Sequence, residues 1–414
     1  MIGYVGLTHL GLVYALASAK KGMNVTAYTD DLNLFNYLNK FKIPFFEPLV
    51  ENELKKNKNK LKFSHNIEHL KKCKIVFFSY DVPTDKNNKS DFNFLRKKLR
   101  FVLRNLNRKS DLVILSQVKP GFTRNINWPK NKLYYMVETL IMGNALKRAL
   151  NPERIIIGSN DKKKISKRLK KYLLKFTKNI IYTSYESAEM TKISINMMLI
   201  SSITMTNVLS EICEKINANW DEIKPSLLLD KRIGQFAYIR PGLGILSGNL
   251  QRDMINLNEI TNKYKLDYPS LILKNYKKYS NYKKNWILNI LKRLTNNQKK
   301  KVRIGLLGLT YKENIASLKN SNSIYLIKKL KKQLFNIYDP KVKYKVKYKN
   351  VREYSTISDI LYKSEIIILA TPWKEFENLN FNNKNIKNII DPHSIIKSDI
   401  NDKIGYYKMG NKKF

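Results

Sequence analysis

Cysteine is almost missing from this chain: Cys73 and Cys213 are its only two, beside four histidines without ligand-like spacing. That scarcity excludes a disulfide framework and a cysteine-rich zinc site, so no metal is expected. Long hydrophobic runs are missing as well; no stretch of about eighteen uninterrupted apolar residues occurs, and no membrane span is expected. The first strand pattern starts at Met1, which argues against a signal peptide and for a cytoplasmic location. Acidic residues are scarce: 33 Asp and Glu stand against 78 Lys and Arg, a net charge of +45. A field of that size attracts polyanions. The lysines nevertheless recur along the whole chain (Lys55 to Lys62, Lys162 to Lys175, Lys277 to Lys301, Lys328 to Lys332, Lys341 to Lys349) and form no single basic arm. A general surface bias accounts for that spread, and no specific nucleic-acid partner is expected.

What is present is enough for two or three domains: 414 residues, 43% of them hydrophobic. Strand patterns at Ile2 to Val5, Asn24 to Tyr28, Lys74 to Ser79, Asp111 to Ser116, Lys132 to Val137, Arg154 to Ile157 and Asn179 to Tyr182 alternate with helical ones. Such alternation predicts an α/β, mostly parallel, doubly wound sheet. Tyr185 to Ile216, free of Gly and Pro, reads as one long helix, with further helices to about Lys292 and a Lys/Asn-rich boundary at Leu294 to Lys301. Strands return at Arg303 to Gly308, Phe335 to Tyr338, Ile366 to Ala370 and Ile386 to Ile390. The expected architecture is two Rossmann-like doubly wound domains, 1–183 and 296–414, joined by a long central helix and helical middle domain, 184–295.

Gly6-Leu-Thr-His-Leu-Gly11 follows the first strand and opens a helix, the setting of the dinucleotide fingerprint. Gly6 would permit the tight turn and Gly11 close helix–strand packing, with pyrophosphate at the helix N-terminus. Thr8 stands where the fingerprint has its middle glycine. Asp30 and Asp31, about twenty residues on, would accept a hydrogen bond from an adenosine ribose hydroxyl and favour NAD over NADP. Val302 to Thr310 repeats the strand and glycine turn. In the long helix, Lys192 and Asn196 share a face one turn apart, able to stabilise a developing alkoxide or to be an ordinary exposed pair.

Ten stretches, in order, carry a resemblance: Ile43 to Pro48, Val82-Pro-Thr-Asp85, Ser116 to Arg124, Leu150 to Gly158, Glu186 to Asn196, Leu229 to Gly234, Pro241-Gly-Leu-Gly244, Gly308 to Lys312, Tyr338-Asp-Pro340 and Ala370 to Phe376. By them the chain resembles the UDP-glucose/GDP-mannose dehydrogenase family along nearly all its length. The resemblance implies an NAD-binding N-terminal domain, a C-terminal domain for the nucleotide of the sugar, and a homodimer built on the central helix. It implies oxidation of a sugar's primary alcohol to a carboxylate with two NAD, through an aldehyde held by a cysteine. It assigns Glu138 as a general base acting through water, Lys192 and Asn196 to the oxyanion, and Asp253 to water activation. Arg232 would reach substrate across a subunit interface, Gly244 and Lys312 would contact the sugar nucleotide, and Thr84 and Gln117 would line the cofactor. These are the groups that hydride removal from an alcohol requires, since a proton leaves as charge builds on oxygen.

The chain departs from the family pattern at telling places. Ser247-Gly-Asn-Leu-Gln-Arg-Asp253 puts Asn249 at or near the cysteine position, and an amide cannot form a thiohemiacetal. Cys213 lies about 25 Å beyond Asn196 along the same helix, and Cys73 reads as a buried small residue. Gln117 replaces a threonine, Met142 a second glutamate, and His393 stands where a substrate arginine is expected. Three outcomes fit: a hydrated aldehyde giving up a second hydride, a single oxidation, or lost catalysis. The leading expectation is an active NAD-dependent dehydrogenase of a UDP-hexose; beside it stand a catalytically impaired nucleotide-sugar-binding protein and a basic nucleic-acid binder.

Overall fold

The central strands are short runs of consecutive apolar residues because a parallel sheet covered by helices on both faces buries every position there. The computed structural model describes all residues except 86–87, 163, 296–300, 319, 345–347, 383–384 and 412–414. Most of the boundary stretch Leu294 to Lys301 and parts of the lysine runs through 163, 296–300 and 345–347 therefore lie outside the described residues. The chain divides into two compact units, Met1–Ile195 and Asn196–Phe414.

In the first unit the order is β1 (Ile2–Val5), α1 (His9–Lys20), β2 (Val25–Tyr28), α2 (Leu32–Asn39), α3 (Val50–Lys56), β3 (Leu61–Ser64), β4 (Ile75–Phe78), α4 (Phe92–Asn105) and β5 (Asp111–Ile114). β6 (Leu133–Met136), α5 (Ala145–Leu150), β7 (Ile155–Ser159), α6 (Lys167–Leu173) and β8 (Ile180–Ser184) follow, and α7 (Tyr185–Ile216) begins there. The sheet order is β3-β2-β1-β4-β5-β6-β7-β8. Because β2 and β4 flank β1, the winding reverses at the carboxyl end of β1, where open α/β sheets bind ligands. One pairing departs from the parallel expectation: β7 runs antiparallel to β6, with Tyr135 opposite Gly158.

The second unit takes up the rest of α7, then α8 (Trp220–Leu229), α9 (Gly248–Lys263), α10 (Asp267–Lys284) and α11 (Trp286–Thr295), so the helical stretch runs three residues past the expected Lys292. β9 (Arg303–Leu307), α12 (Asn322–Lys329), β10 (Leu334–Tyr338), β11 (Val351–Glu353), α13 (Ile357–Lys363), β12 (Ile366–Leu369), β13 (Asn388–Asp391) and β14 (Gly405–Lys408) complete it. Their order, β11-β10-β9-β12-β13-β14, repeats the winding of the first sheet.

Three strands, β3, β11 and β14, escape the sequence reading for one reason. Each is a sheet edge, half-exposed and carrying lysine, arginine or tyrosine in place of a continuous apolar run. The 32 residues of α7 form one helix with the expected bounds. Among the described residues it alone is long and apolar enough by length and composition to cross a membrane, with a window of mean hydropathy 1.3, although charged residues interrupt its apolar run.

Candidate functional site

Gly6 ends β1 with φ +88°, a left-handed conformation that L side chains rarely adopt. Space forbids a side chain there too: a Cβ would lie 2.6 Å from the Tyr80 ring, and one on Gly11 would lie 2.1 Å from the Gly6 carbonyl. Thr8 needs no such freedom, since its backbone is extended (φ −72°, ψ −172°). Its hydroxyl points to the Ser79 carbonyl on the neighbouring loop, 3.5 Å away. Gly6 and Gly11 thus serve the tight turn and the close helix–strand packing of the dinucleotide fingerprint, which bring the first turn of α1 to where its amides can face a pyrophosphate. The residues present fit NAD.

At the carboxyl end of β2, Asp31 caps α2 by accepting from the Leu34 amide at 3.1 Å, which turns it to structural use. Asp30 is held differently. One carboxylate oxygen accepts from the Tyr80 hydroxyl at 3.0 Å, and the other pairs with the Lys98 ammonium. Burial would raise the Asp30 carboxyl, but Lys98 and Tyr80 outweigh it and hold it below the usual range. Thr84 and Gln117 lie in the loops after β4 and β5, both partly buried, with Thr84 bridged to Ser90.

Two buried carboxylates missed by the sequence reading shape these loops. Glu47 accepts from the amides of Gly143 (2.9 Å) and Ala145 (2.8 Å) and meets His9 Nε2 at 2.7 Å. Burial works against its charge, yet His9 and the two amides keep its carboxyl below the ordinary value. Glu189, in the third position of a helical turn before Lys192, takes the Gly121 amide on Oε2 (2.6 Å) and the Thr123 amide on Oε1 (2.8 Å). Glu186 pairs with Arg124 from the same loop. The first turns of α7 therefore grip the loop that follows Gln117. Both carboxylates fall inside stretches that carry the family resemblance, which was the available signal; neither stretch says which acid turns inward.

Glu138 follows β6 with 9% of its surface exposed. Its Oε2 accepts from the Leu140 amide at 2.8 Å, and its Oε1 lies 2.9 Å from the Lys192 ammonium. A carboxylate able to take a proton and an ammonium able to face an oxyanion are thus adjacent in the first unit. In the second unit, Asn196 donates its amide to Asp253 Oδ2 at 2.5 Å, with Asp253 fully buried on α9. Lys192 and Asn196 stand one turn apart on α7. Asn249 is an exposed residue of the first turn of α9.

The second glycine turn mirrors the first. Gly308 ends β9 with φ +92°, and a Cβ there would lie 2.5 Å from Thr371, as one at Gly6 would strike Tyr80. Asp339 accepts from the Leu309 amide at 2.7 Å, and Thr310 donates to the Lys312 carbonyl at 2.8 Å, so the turn and Lys312 are held together. Gly244 (φ +86°) packs on the Ser280 carbonyl. Arg232 is exposed and pairs with its neighbour Asp230 at 2.6 Å. His393 Nε2 lies 3.3 Å from the Ala370 carbonyl, and burial holds its pKa below the ordinary value. Both cysteines are buried; burial pushes the Cys73 thiol up to about 11 and raises that of Cys213. Among the described residues no cluster of His, Cys, Asp and Glu is arranged for a metal.

The chain matches the UDP-glucose/GDP-mannose dehydrogenase family in three successive regions: its NAD binding domain over residues 1–176, its central domain over 186–279 and its UDP binding domain over 305–398. It is similar to the UDP-glucose 6-dehydrogenase of Rickettsia felis, with 27% identity over 99% of this chain and 96% of that protein. UDP-glucose 6-dehydrogenase YwqF of Bacillus subtilis is 25% identical over 91% of this chain and 88% of its own length. Among solved structures, a UDP-glucose dehydrogenase from Pyrobaculum islandicum superposes with TM-score 0.84 at 21% identity, covering 98% of this chain and 96% of that one. The UDP-N-acetyl-mannosamine dehydrogenase Cap5O of Staphylococcus aureus gives 0.79 at 20% identity, covering 99% of each. At these identities the superpositions speak for the fold alone. With all three family regions present in order and the glycine turn of the dinucleotide fingerprint after β1, the chain belongs to the UDP-glucose/GDP-mannose dehydrogenase family, whose members are NAD-dependent oxidoreductases acting on CH–OH.

Proposed function

We propose that the chain oxidises the C6 alcohol of a UDP-hexose, UDP-glucose first, towards the uronate. The observation that carries this reading is the buried Glu138–Lys192 pair, 2.9 Å apart. The Glu138 carboxylate takes the hydroxyl proton through a water, while the Lys192 ammonium and the Asn196 amide stabilise the negative charge building on O6. NAD, when bound, accepts the hydride that leaves C6 with its electron pair. The alcohol loses two hydrogens and becomes an aldehyde. Water then adds across the aldehyde carbonyl, placed by Asp253, and the resulting gem-diol gives up a second hydride, for which a second NAD would be the acceptor, and two protons, leaving the carboxylate. Asn249 offers the substrate a hydrogen bond where the family's nucleophile is expected, and no covalent adduct forms on it. Arg232, Gly244 and Lys312 hold the sugar nucleotide.

The proposed assembly is a homodimer with a second copy on α7. Met198, Met205, Leu209, Ile212 and Ile216 are all exposed along it, a stripe too apolar to face water. A single-oxidation or binding-only reading remains the alternative, favoured by the burial of both cysteines. The test is a panel of UDP-glucose, UDP-N-acetylmannosamine and GDP-mannose with NAD, each product identified by mass. Oxidation at C6 of UDP-glucose ahead of the others supports the proposal; preference for another sugar overturns the substrate, and silence with all three supports binding only.

A further inference from the structure

We propose that Glu47 and His9 act as positioning residues in the oxidation: together they hold the loop that carries Glu138 against the turn that would seat the cofactor pyrophosphate. Their role rests on the proposed dehydrogenase chemistry, and every residue involved lies in the first unit. Glu47 sits between α2 and α3 with 4% of its surface exposed. Its Oε1 accepts from the Ala145 amide at 2.8 Å, and its Oε2 accepts from the Gly143 amide at 2.9 Å and meets His9 Nε2 at 2.7 Å. An ionised carboxylate can only accept, so the imidazole donates from Nε2. One buried carboxylate therefore joins the first residue of α1, just after the Gly6 turn, to the start of α5.

Neither end of this tie is slack. On the base side, Glu138 Oε2 accepts from the Leu140 amide at 2.8 Å, and Arg148 of α5 donates to the Thr139 carbonyl at 3.0 Å. The loop is thus braced from Glu138 to the two amides that Glu47 takes. On the cofactor side, the His9 ring meets Phe45 edge to face, with centroids 5.2 Å apart, and its side chain is 15% exposed. A pyrophosphate at the first turn of α1 helps to fix where the nicotinamide lies, while Glu138 fixes where the hydroxyl proton goes. Hydride and proton leave one CH–OH group, so turn and base must keep one spacing, and a displacement of about 1 Å can cost about a hundredfold in rate. Loss of Glu47 would strand two loop amides as well as His9. Loss of the imidazole cuts only the tie to α1.

The test is the rate of NADH formation in a single turnover, with the full chain in excess over UDP-glucose at saturating NAD+, for the wild type, His9→Leu and His9→Gln. Calorimetric titration with NAD+ and the urea midpoint are measured alongside. His9→Leu keeps an apolar contact for Phe45 and removes the donor, whereas His9→Gln offers Glu47 a donor again. His9→Leu is expected to slow the turnover by about ten- to a hundredfold, with the Kd for NAD+ within about threefold of the wild type, and His9→Gln to recover most of the rate. A merely structural tie would lower the urea midpoint of His9→Leu and leave its turnover rate within about twofold of the wild type, which overturns the inference. So does a Kd for NAD+ weakened by more than about tenfold with the saturated rate unchanged, or a His9→Gln variant as slow as His9→Leu. No NADH from the wild type sinks the proposed oxidation itself, and the positioning role with it.

Discussion

Removing both members of the Glu138–Lys192 pair should cost clearly less than the sum of the two single removals. The two side chains are 9% (Lys192) and 11% (Glu138) exposed and stand 2.9 Å apart, so solvent screens them little. Lys192→Met strands a carboxylate in a nearly dry site, at a cost of about 3 kcal/mol, the lower end for breaking a buried pair. Glu138→Gln strands the ammonium at a similar cost, though the amide oxygen can still accept from Leu140. The double variant exchanges two charges for a neutral amide and a thioether, and the coupling recovered in the cycle should be at least ~1.5 kcal/mol. Urea unfolding followed by circular dichroism, with m-values compared among the four proteins, measures each step. Single costs that add to the double within about 0.5 kcal/mol would refute the pairing and remove the chief support for the proposed base and oxyanion roles.

Lys192→Met should also lower kcat by about 10²- to 10³-fold, the scale of losing one oxyanion donor, with the affinity for NAD+ measured separately by titration. Glu189 carries a carboxyl that burial pushes up to about 7, against the opposing pull of the Thr123 and Gly121 amides. Its folded pKa lies above the ordinary carboxylate value, so the native state binds the proton more tightly and this contribution is lost as pH rises through 7. The loss is roughly 1–3 kcal/mol between pH 4.5 and 7.5. In Glu189→Gln that slope disappears, and parallel stability–pH curves for the two proteins would contradict the assignment. Cys73→Ala/Cys213→Ala should form NADH from the same sugar in the same yield; loss of the second NADH would show that one of these thiols takes part. Met205→Glu should turn a dimer into a monomer by light scattering, and a wild type already monomeric would rule out the proposed interface.

The central strands and α7 were legible because burial on both faces leaves an unbroken apolar record in the sequence. The edge strands β3, β11 and β14 were not, since one open side admits Lys62, Arg352 and Lys408. The glycine turns were readable from their setting between strand and helix, and the clashes at Gly6 and Gly11 supply their reason. Asp30 was legible as an acid after β2, but its partner Lys98 comes 68 residues later, and nothing in the local pattern joins them. The same holds for Glu47, whose amide donors lie 96 and 98 residues on. Periodicity reveals which face of an element is buried; it does not reveal which polar groups meet there. Lys192 and Asn196 could be placed on one helical face in advance, whereas their bonds to Glu138 and Asp253 depend on how each unit folds.

The most direct test of the account is the number of NADH molecules formed from a limiting amount of UDP-glucose in excess NAD+, followed by absorbance, with the sugar product identified by mass. The account predicts about two NADH per sugar and a uronate, because a four-electron oxidation is divided between two-electron carriers. No NADH from UDP-glucose or from any other UDP-hexose would contradict it.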